Sequence, residues 1–209
     1  MKAFDIITEA DARTLEIGST VSLKPGGHVT PLAADTLRER RITVLSRIAE
    51  ASLDGLAPVA DIKSIAIGSD HSGVALKARL RDHLRRRGLR VFDVGTEGSD
   101  PVDYPDIAAQ VARLVARKEA DAGIVIDGAG LGSAIAANKI AGARAAMCTD
   151  RTLARYSREH NGANVLALGA TLLAIEDAVA IVDTWIGTPM SEARYIRRLA
   201  KIRALEKMP

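Results

Sequence analysis

The chain has 209 residues, 47% of them hydrophobic, with a formal net charge of +3. That is enough apolar material for one full domain and a small appendage, and it excludes a disordered chain. So slight a positive balance, with only 3% aromatic residues, offers neither the basic footprint nor the stacking surface of a nucleic-acid partner.

Residues 1–56 read as an appendage. "GSTVSLKPGGHVT" has the pattern of a short hairpin around Pro25, Gly26 and Gly27. "TPLAADTLRERR" follows as a helix with Thr30 as N-cap and Pro31 at its first position. A second helical stretch, "TVLSRIAEASLDG", runs into "LAPVADIK", whose proline and small residues make residues 57–63 a linker with a boundary near Pro58. The opening "MKAFDIITEADAR" is interrupted by acids where a signal peptide needs its apolar core.

From residue 64 to 209 the pattern changes. "SIAIGSD", "RVFDVG", "AGIVIDG", "RAAMCTD" and "NVLALGA" are short apolar runs, each ending in Gly or Asp and alternating with helical stretches. This is the signature of an α/β fold whose five parallel strands are covered on both faces. In "GVALKARLRDHLRRRG", Val74, Leu76, Leu80 and Leu84 form the core stripe, while Arg79, Arg85 and Arg86 form a solvated face. Ligands of open α/β sheets gather beyond the carboxyl ends of the strands, so Asp70, Asp127 and Asp150 become candidates by position. No apolar run reaches the roughly 18 residues of a membrane span, and the single Cys148 excludes an internal disulfide. A cytoplasmic protein without membrane or nucleic-acid partners is expected.

Residues 125–139, "VIDGAGLGSAIAANK", pass from strand through a glycine turn into a short helix. One reading is a dinucleotide turn, with Asp150 as the ribose-binding acid; but with Gly128 and Gly130 as its first two glycines, the third position holds Ser133. The other reading is an active-site cradle. In it the backbone N–H groups of Gly128, Ala129, Gly130, Leu131 and Gly132 hold a developing oxyanion, and Asp127 moves a proton on the carbon beside a carbonyl.

The remaining motifs decide between these. "IAIGSDHSGVALK", "VDYPDIA", "GAGLGSAIAANKIAGARAAMCTD", "SREHNGANVLALGA" and "IVDTWIGTP" stand in the order and spacing of ribose-5-phosphate isomerase B and its galactose-6-phosphate isomerase relatives, and residues 63–206 resemble that family. The resemblance implies a Rossmann-like α/β/α sandwich, a homodimer that can pair into a tetramer, and sites with residues from two subunits. It implies isomerisation of a sugar phosphate through an enediol, without metal or other cofactor, with D-ribose 5-phosphate and D-ribulose 5-phosphate the first pair to expect. Carried over, Asp70 and His71 line the sugar site, Tyr104 contacts the sugar, His160 opens the ring with Asn161 beside it, and the 128–132 backbone holds the enediolate. Another sugar phosphate, a sugar acid, or a non-catalytic sugar-phosphate-binding subunit remain as alternatives.

The chain also departs from the family pattern. Where the commonest members have a Cys base it has Asp127, and where a second branch has a Glu base it has Ser133. Asp127 is either the replacement base or only a cap on its turn. A family Arg is replaced by Thr171, while Arg194 and Arg198 of a C-terminal anion clamp remain around Tyr195, which stands for a His. Cys148 reads as a buried strand residue rather than a nucleophile. Residues 1–56 are similar to the N-terminal segment of ethanolamine-utilisation cobalamin adenosyltransferases, through "LKPGGHVTPLAADTLRERR". No cobalamin chemistry follows. That likeness implies a docking module for a bacterial microcompartment shell or a partner enzyme, against the plainer expectation of an added interface element.

Overall fold

A computed structural model describes residues 2–46, 56–190 and 193–206. The chain divides into two compact units, Met1–Asp54 and Gly55–Pro209.

The first unit runs β1 (Ala3–Ile7), α1 (Glu9–Thr14), β2 (Thr20–Val29), α2 (Pro31–Glu39) and β3 (Thr43–Ser46). The strands form a parallel sheet in the order β1-β2-β3 around a small core of Ile7, Ala12, Val21, Leu23, Ala33, Leu37 and Ile42. Thr30 caps α2 and Pro31 opens it, as the sequence indicates. The hairpin expected at Pro25–Gly27 is corrected. β2 continues in one direction, pairing Phe4 with Leu23 and then Ile6 with His28, so the Pro-Gly-Gly stretch is a bulge against β1 rather than a reversal. Gly27 is needed there because a Cβ would lie 2.6 Å from the Asp5 carbonyl oxygen. The second helical stretch is also corrected at its start: Thr43–Ser46, with its β-branched residues, extends the sheet beside β2. Residues 47–55 of that stretch lie outside the described residues.

The second unit holds five parallel strands: β4 (Ser64–Ser69), β5 (Arg90–Asp93), β6 (Ala122–Asp127), β7 (Ala145–Met147) and β8 (Val165–Gly169), ordered β5-β4-β6-β8-β7. Between and after them come a 3₁₀ turn (His71–Gly73), α3 (Val74–Arg86), α4 (Tyr104–Ala116), α5 (Leu131–Ala137), α6 (Arg151–Glu159), α7 (Ile175–Ile186) and α8 (Ala193–Leu205). All five strands and the parallel sheet are those read from the sequence.

Alternation along the strands sorts residues between two cores. Ile65, Ile67, Ile124, Ile126, Leu166 and Leu168 meet Leu76, Leu80 and Leu84 of α3 and Trp185 of α7. Ala66, Val125 and Ala167 face α4 and α5 instead. That second face is narrow: a Cβ on Gly123 would lie 2.7 Å from Val111 Cγ1. In α3 the expected stripe holds for Leu76, Leu80 and Leu84 while Val74 is half-buried, and Lys77 joins the buried set. Its Nζ lies 2.6 Å from Asp93 Oδ1, and Arg81 bonds the other carboxylate oxygen at 3.0 Å. Among the described residues, no helix is long and apolar enough to cross a membrane.

Candidate functional site

Strands β4 and β6 are neighbours, so their carboxyl ends bring Asp70 and Asp127 to one edge. The Asp70 backbone N–H donates to the Ile126 carbonyl at 3.0 Å. Asp70 caps the 3₁₀ turn: its Oδ1 accepts from Ser72 N at 2.9 Å, Ser72 Oγ at 2.6 Å and Gly73 N at 3.2 Å. His71 is exposed on that turn, and its Nδ1 accepts from Val102 N at 3.4 Å. Val102 leads into α4, whose first residue is Tyr104. The Tyr104 ring lies against Gly132, where a Cβ would be 2.5 Å from two ring carbons and 2.8 Å from Oη.

Asp127 is 3% exposed, and its carboxylate turns onto the loop that follows. Oδ1 accepts from Ala129 N at 2.9 Å and from Gly130 N in a shorter bond, while Oδ2 accepts from Ser133 N at 2.8 Å. Gly130 has φ +77 and room for no side chain, since a Cβ would meet the Leu168 carbonyl carbon at 2.9 Å. The cradle read from the sequence is therefore present, but two of its amides, with that of Ser133, are directed at Asp127 itself. Gly128, Leu131 and Gly132 supply its other backbone N–H groups. Thr171, which stands for the family Arg, ties the loop from the far side: its Oγ1 donates to the Gly128 carbonyl at 2.6 Å.

A second group forms elsewhere. His160 ends α6, sandwiched between the rings of Tyr156 and Tyr195 at centroid distances of 4.7 and 4.8 Å. Arg198 lies over the Tyr195 ring at 5.7 Å. Arg194 is in the first turn of α8; its side chain lies outside the described residues. Asn161 lines a cleft of about 650 Å³ with Arg144, Ile202 and Glu206. His160 and Asn161 precede β8, whereas Asp127 ends β6, and the register pairs Gly123 with Val165 and Asp127 with Gly169. The length of β8, about 15 Å at roughly 3.3 Å per residue, thus separates the two groups on one chain. The structure brings together Asp70, His71, Tyr104 and 127–133, and it keeps His160, Asn161 and Arg198 apart from them.

Asp150 and Cys148 stand outside both groups. Asp150 caps α6, its Oδ1 accepting from Thr152 N and Leu153 N at 2.7 and 2.9 Å, and it follows β7, which β8 separates from β6, whereas the ribose acid of a dinucleotide turn belongs on the neighbouring strand. Cys148 is 1% exposed, and burial first, with Asp150 adding to it, pushes its thiol up to about 11. It is a poor nucleophile there. Sequence reading missed Ser72 and the loop-tying role of Thr171. Ser72 had a signal, since Asp followed by Ser at +2 and Gly at +3 is the pattern of a capped turn; Thr171 had none, because its partner is 43 residues away.

Fold and site together define an open parallel α/β protein with a carboxylate, a glycine loop and a tyrosine at one strand edge. The Ribose/Galactose Isomerase family model matches residues 65–202. The chain belongs to that family. It is 46% identical to ribose-5-phosphate isomerase B of Escherichia coli (strain K12) over 146 residues, covering 70% of this chain and 98% of that one. Among solved structures, ribose-5-phosphate isomerase B of Clostridium thermocellum is 50% identical, with a TM-score of 0.68 over 69% of this chain and 97% of that one. The Mycoplasma genitalium enzyme, solved with bound ribulose-5-phosphate, is 36% identical with a TM-score of 0.68, covering 70% and 97%.

Proposed function

We propose that the protein interconverts an aldose and a ketose phosphate, with D-ribose 5-phosphate and D-ribulose 5-phosphate as the pair, through an enediol. The observation that carries this is a carboxylate, Asp127, held at the strand edge beside a glycine loop and Tyr104 in a chain of this family. In this reading His160 opens the sugar ring. Asp127 takes the C2 proton of the aldose and returns it to C1, while a proton passes from O2 to O1. Two carboxylate oxygens offer about four lone pairs, and three loop N–H groups use three, which leaves one for the substrate proton. The N–H groups of Gly128, Leu131 and Gly132 steady the enediolate, Asp70 holds the turn that carries His71, and Arg194 and Arg198 hold the phosphate.

Two copies build each site in this account. The support is the strand-length separation of His160 from Asp127 on one chain, together with exposed Leu131, Ile135, Leu153 and Tyr156 on α5 and α6, an apolar surface suited to a second copy. Within residues 1–56, the unit Met1–Asp54 has its own core and is the docking module of this reading, for a microcompartment shell or a partner enzyme.

A second reading, a sugar-phosphate-binding subunit without turnover, is favoured by one observation: the Asp127 carboxylate already serves as the cap of its own turn. Incubating the protein in D₂O with pentose, tetrose and hexose phosphates and with uronates, followed by proton NMR, separates the readings. Conversion of ribose 5-phosphate supports the first. Binding without conversion or deuterium entry for any sugar supports the second.

A further inference from the structure

The least expected side chains of the second unit are two arginines away from the Asp127 cluster. Arg158, in the last turn of α6, is 0% exposed, and Arg144, just before β7, is half-buried. Neither forms a salt bridge among the described residues. Both guanidiniums instead bridge the same two stretches of backbone. Arg144 Nε donates to the Gly162 carbonyl at 2.7 Å and Nη2 to the Leu56 carbonyl at 2.8 Å. Arg158 Nη1 donates to the Ala163 carbonyl at 2.9 Å and Nη2 to the Val59 carbonyl at 2.7 Å, with its plane over Trp185 at 4.8 Å.

A buried cation without a carboxylate is costly, so every carbonyl that reaches it matters. Arg158 Nε has no hydrogen-bond partner among the described residues. Burial, with Arg144 as the next cause, lowers Arg158 to about 10, so the group stays charged at neutral pH. Residues 56–62 are no free linker: Leu56 and Ile62 are 3% and 5% exposed, and this stretch precedes the family match that begins at residue 65. On the other side of the bridges, Gly162 has φ +58 and is closed in by Leu199, whose Cδ1 would lie 2.6 Å from an added Cβ. The loop so gripped carries His160 and Asn161.

We propose that residues 56–59 are a positioning strap of the isomerase, which holds the His160–Asn161 loop in place through the guanidinium bridges of Arg144 and Arg158. The strap belongs to the second unit but lies outside the family's shared part, so residues ahead of the family match contribute to the catalytic geometry. The catalytic half of this inference rests on the role given to His160 above.

The test uses two full-length variants. Leu56→Ser loosens the strap, and Arg158→Lys keeps the charge but cannot reproduce the planar two-carbonyl bridge. Amide hydrogen exchange read by mass spectrometry should quicken about tenfold in residues 160–164 and stay within about twofold in β6. Two reactions are then compared. Ribose 5-phosphate must be ring-opened, whereas ribulose 5-phosphate, its C5 oxygen phosphorylated, is already open and takes up deuterium at C1 by proton transfer alone. Turnover of ribose 5-phosphate should fall about tenfold in kcat while deuterium entry into ribulose 5-phosphate stays within about twofold. Unchanged loop exchange in both variants overturns the strap, whatever the catalysis. A loosened loop with equal losses in both reactions overturns its positioning role. If the unaltered protein admits no deuterium, the function proposed above fails on its own, and the loop exchange still decides the strap.

Discussion

Gly132→Ala isolates the contact that places Tyr104. Gly132 is the second residue of α5, and an alanine there is favoured over glycine by about 0.5–1 kcal/mol in helix propensity. Its Cβ would stand 2.5 Å from Tyr104 Cε2 and Cζ, so the ring must retreat by about 1 Å to reach an ordinary carbon contact of roughly 3.5 Å. Tyr104 is 39% exposed and can turn away for about 0.5–1.5 kcal/mol. The two effects nearly cancel, and stability in urea unfolding should change by less than about 1 kcal/mol. Activity should not be spared, because a displacement of about 1 Å at a substrate-positioning group costs roughly 100-fold in turnover. In a Tyr104→Ala background there is no ring to displace, so adding Gly132→Ala should cost little more, a coupling of about 2–3 kcal/mol between the two positions. Steady-state kinetics on ribose 5-phosphate for the four proteins reads this directly. Equal losses from Gly132→Ala in both backgrounds, or full activity in the single variant, would refute the argument that the glycine exists to admit the ring.

Assayed with ribose 5-phosphate well below KM, where Arg198→Ala chains alone are nearly silent, mixing them with Asp127→Asn chains should restore about one quarter of normal activity after subunit exchange, because half the dimers are mixed and each has one intact site. No recovery despite demonstrated exchange would place each site within one chain. Arg198→Ala alone should raise KM for ribose 5-phosphate at least about tenfold with little effect on a neutral pentose; equal effects on both would return this arginine to the solvated surface. Burial by itself would raise the Asp93 carboxyl, but bonds from Lys77, the Gly95 N–H and Arg81 outweigh it and hold the group below its ordinary value of 3.8. Because the folded value is the lower one, this stabilisation is complete above about pH 4 and is lost as pH falls through the folded value. Asp93→Asn should therefore cost about 3–5 kcal/mol at pH 7, leaving Lys77 buried without its partner, and progressively less in acid. A difference independent of pH in urea unfolding would contradict it.

The sheet was legible because each strand carries its own signal: an apolar run of four to six residues stopped by Gly or Asp needs no knowledge of its neighbours. The meeting of Asp70 and Asp127 at the carboxyl edge was legible for the same reason, since both end strands that any open α/β sheet brings to one side. The position of His160 was deducible too. A residue just before a strand lies at its opposite end from a residue just after one, and that rule alone parts His160 from Asp127. What local pattern could not carry were partners distant in sequence. Nothing near Arg144 or Arg158 points to the carbonyls of Leu56 and Val59, 88 and 99 residues away. The Pro-Gly-Gly stretch misled because turn residues also serve a bulge, and only the parallel pairing with β1 tells the two apart.

If Asp127 moves the proton of a sugar phosphate, deuterium entry at C1 of ribulose 5-phosphate in D₂O must depend on its carboxylate, as proton NMR can follow for the unaltered protein and for Asp127→Asn and Asp127→Cys. An Asn oxygen can still accept from Ala129 and Gly130 while losing the bond from Ser133, so folding of the Asn variant is confirmed by circular dichroism. The account predicts ready exchange in the unaltered protein, a fall of about two to four orders of magnitude with Asn, and partial return with the Cys that the family commonly uses. Exchange at the unaltered rate in Asp127→Asn would contradict it.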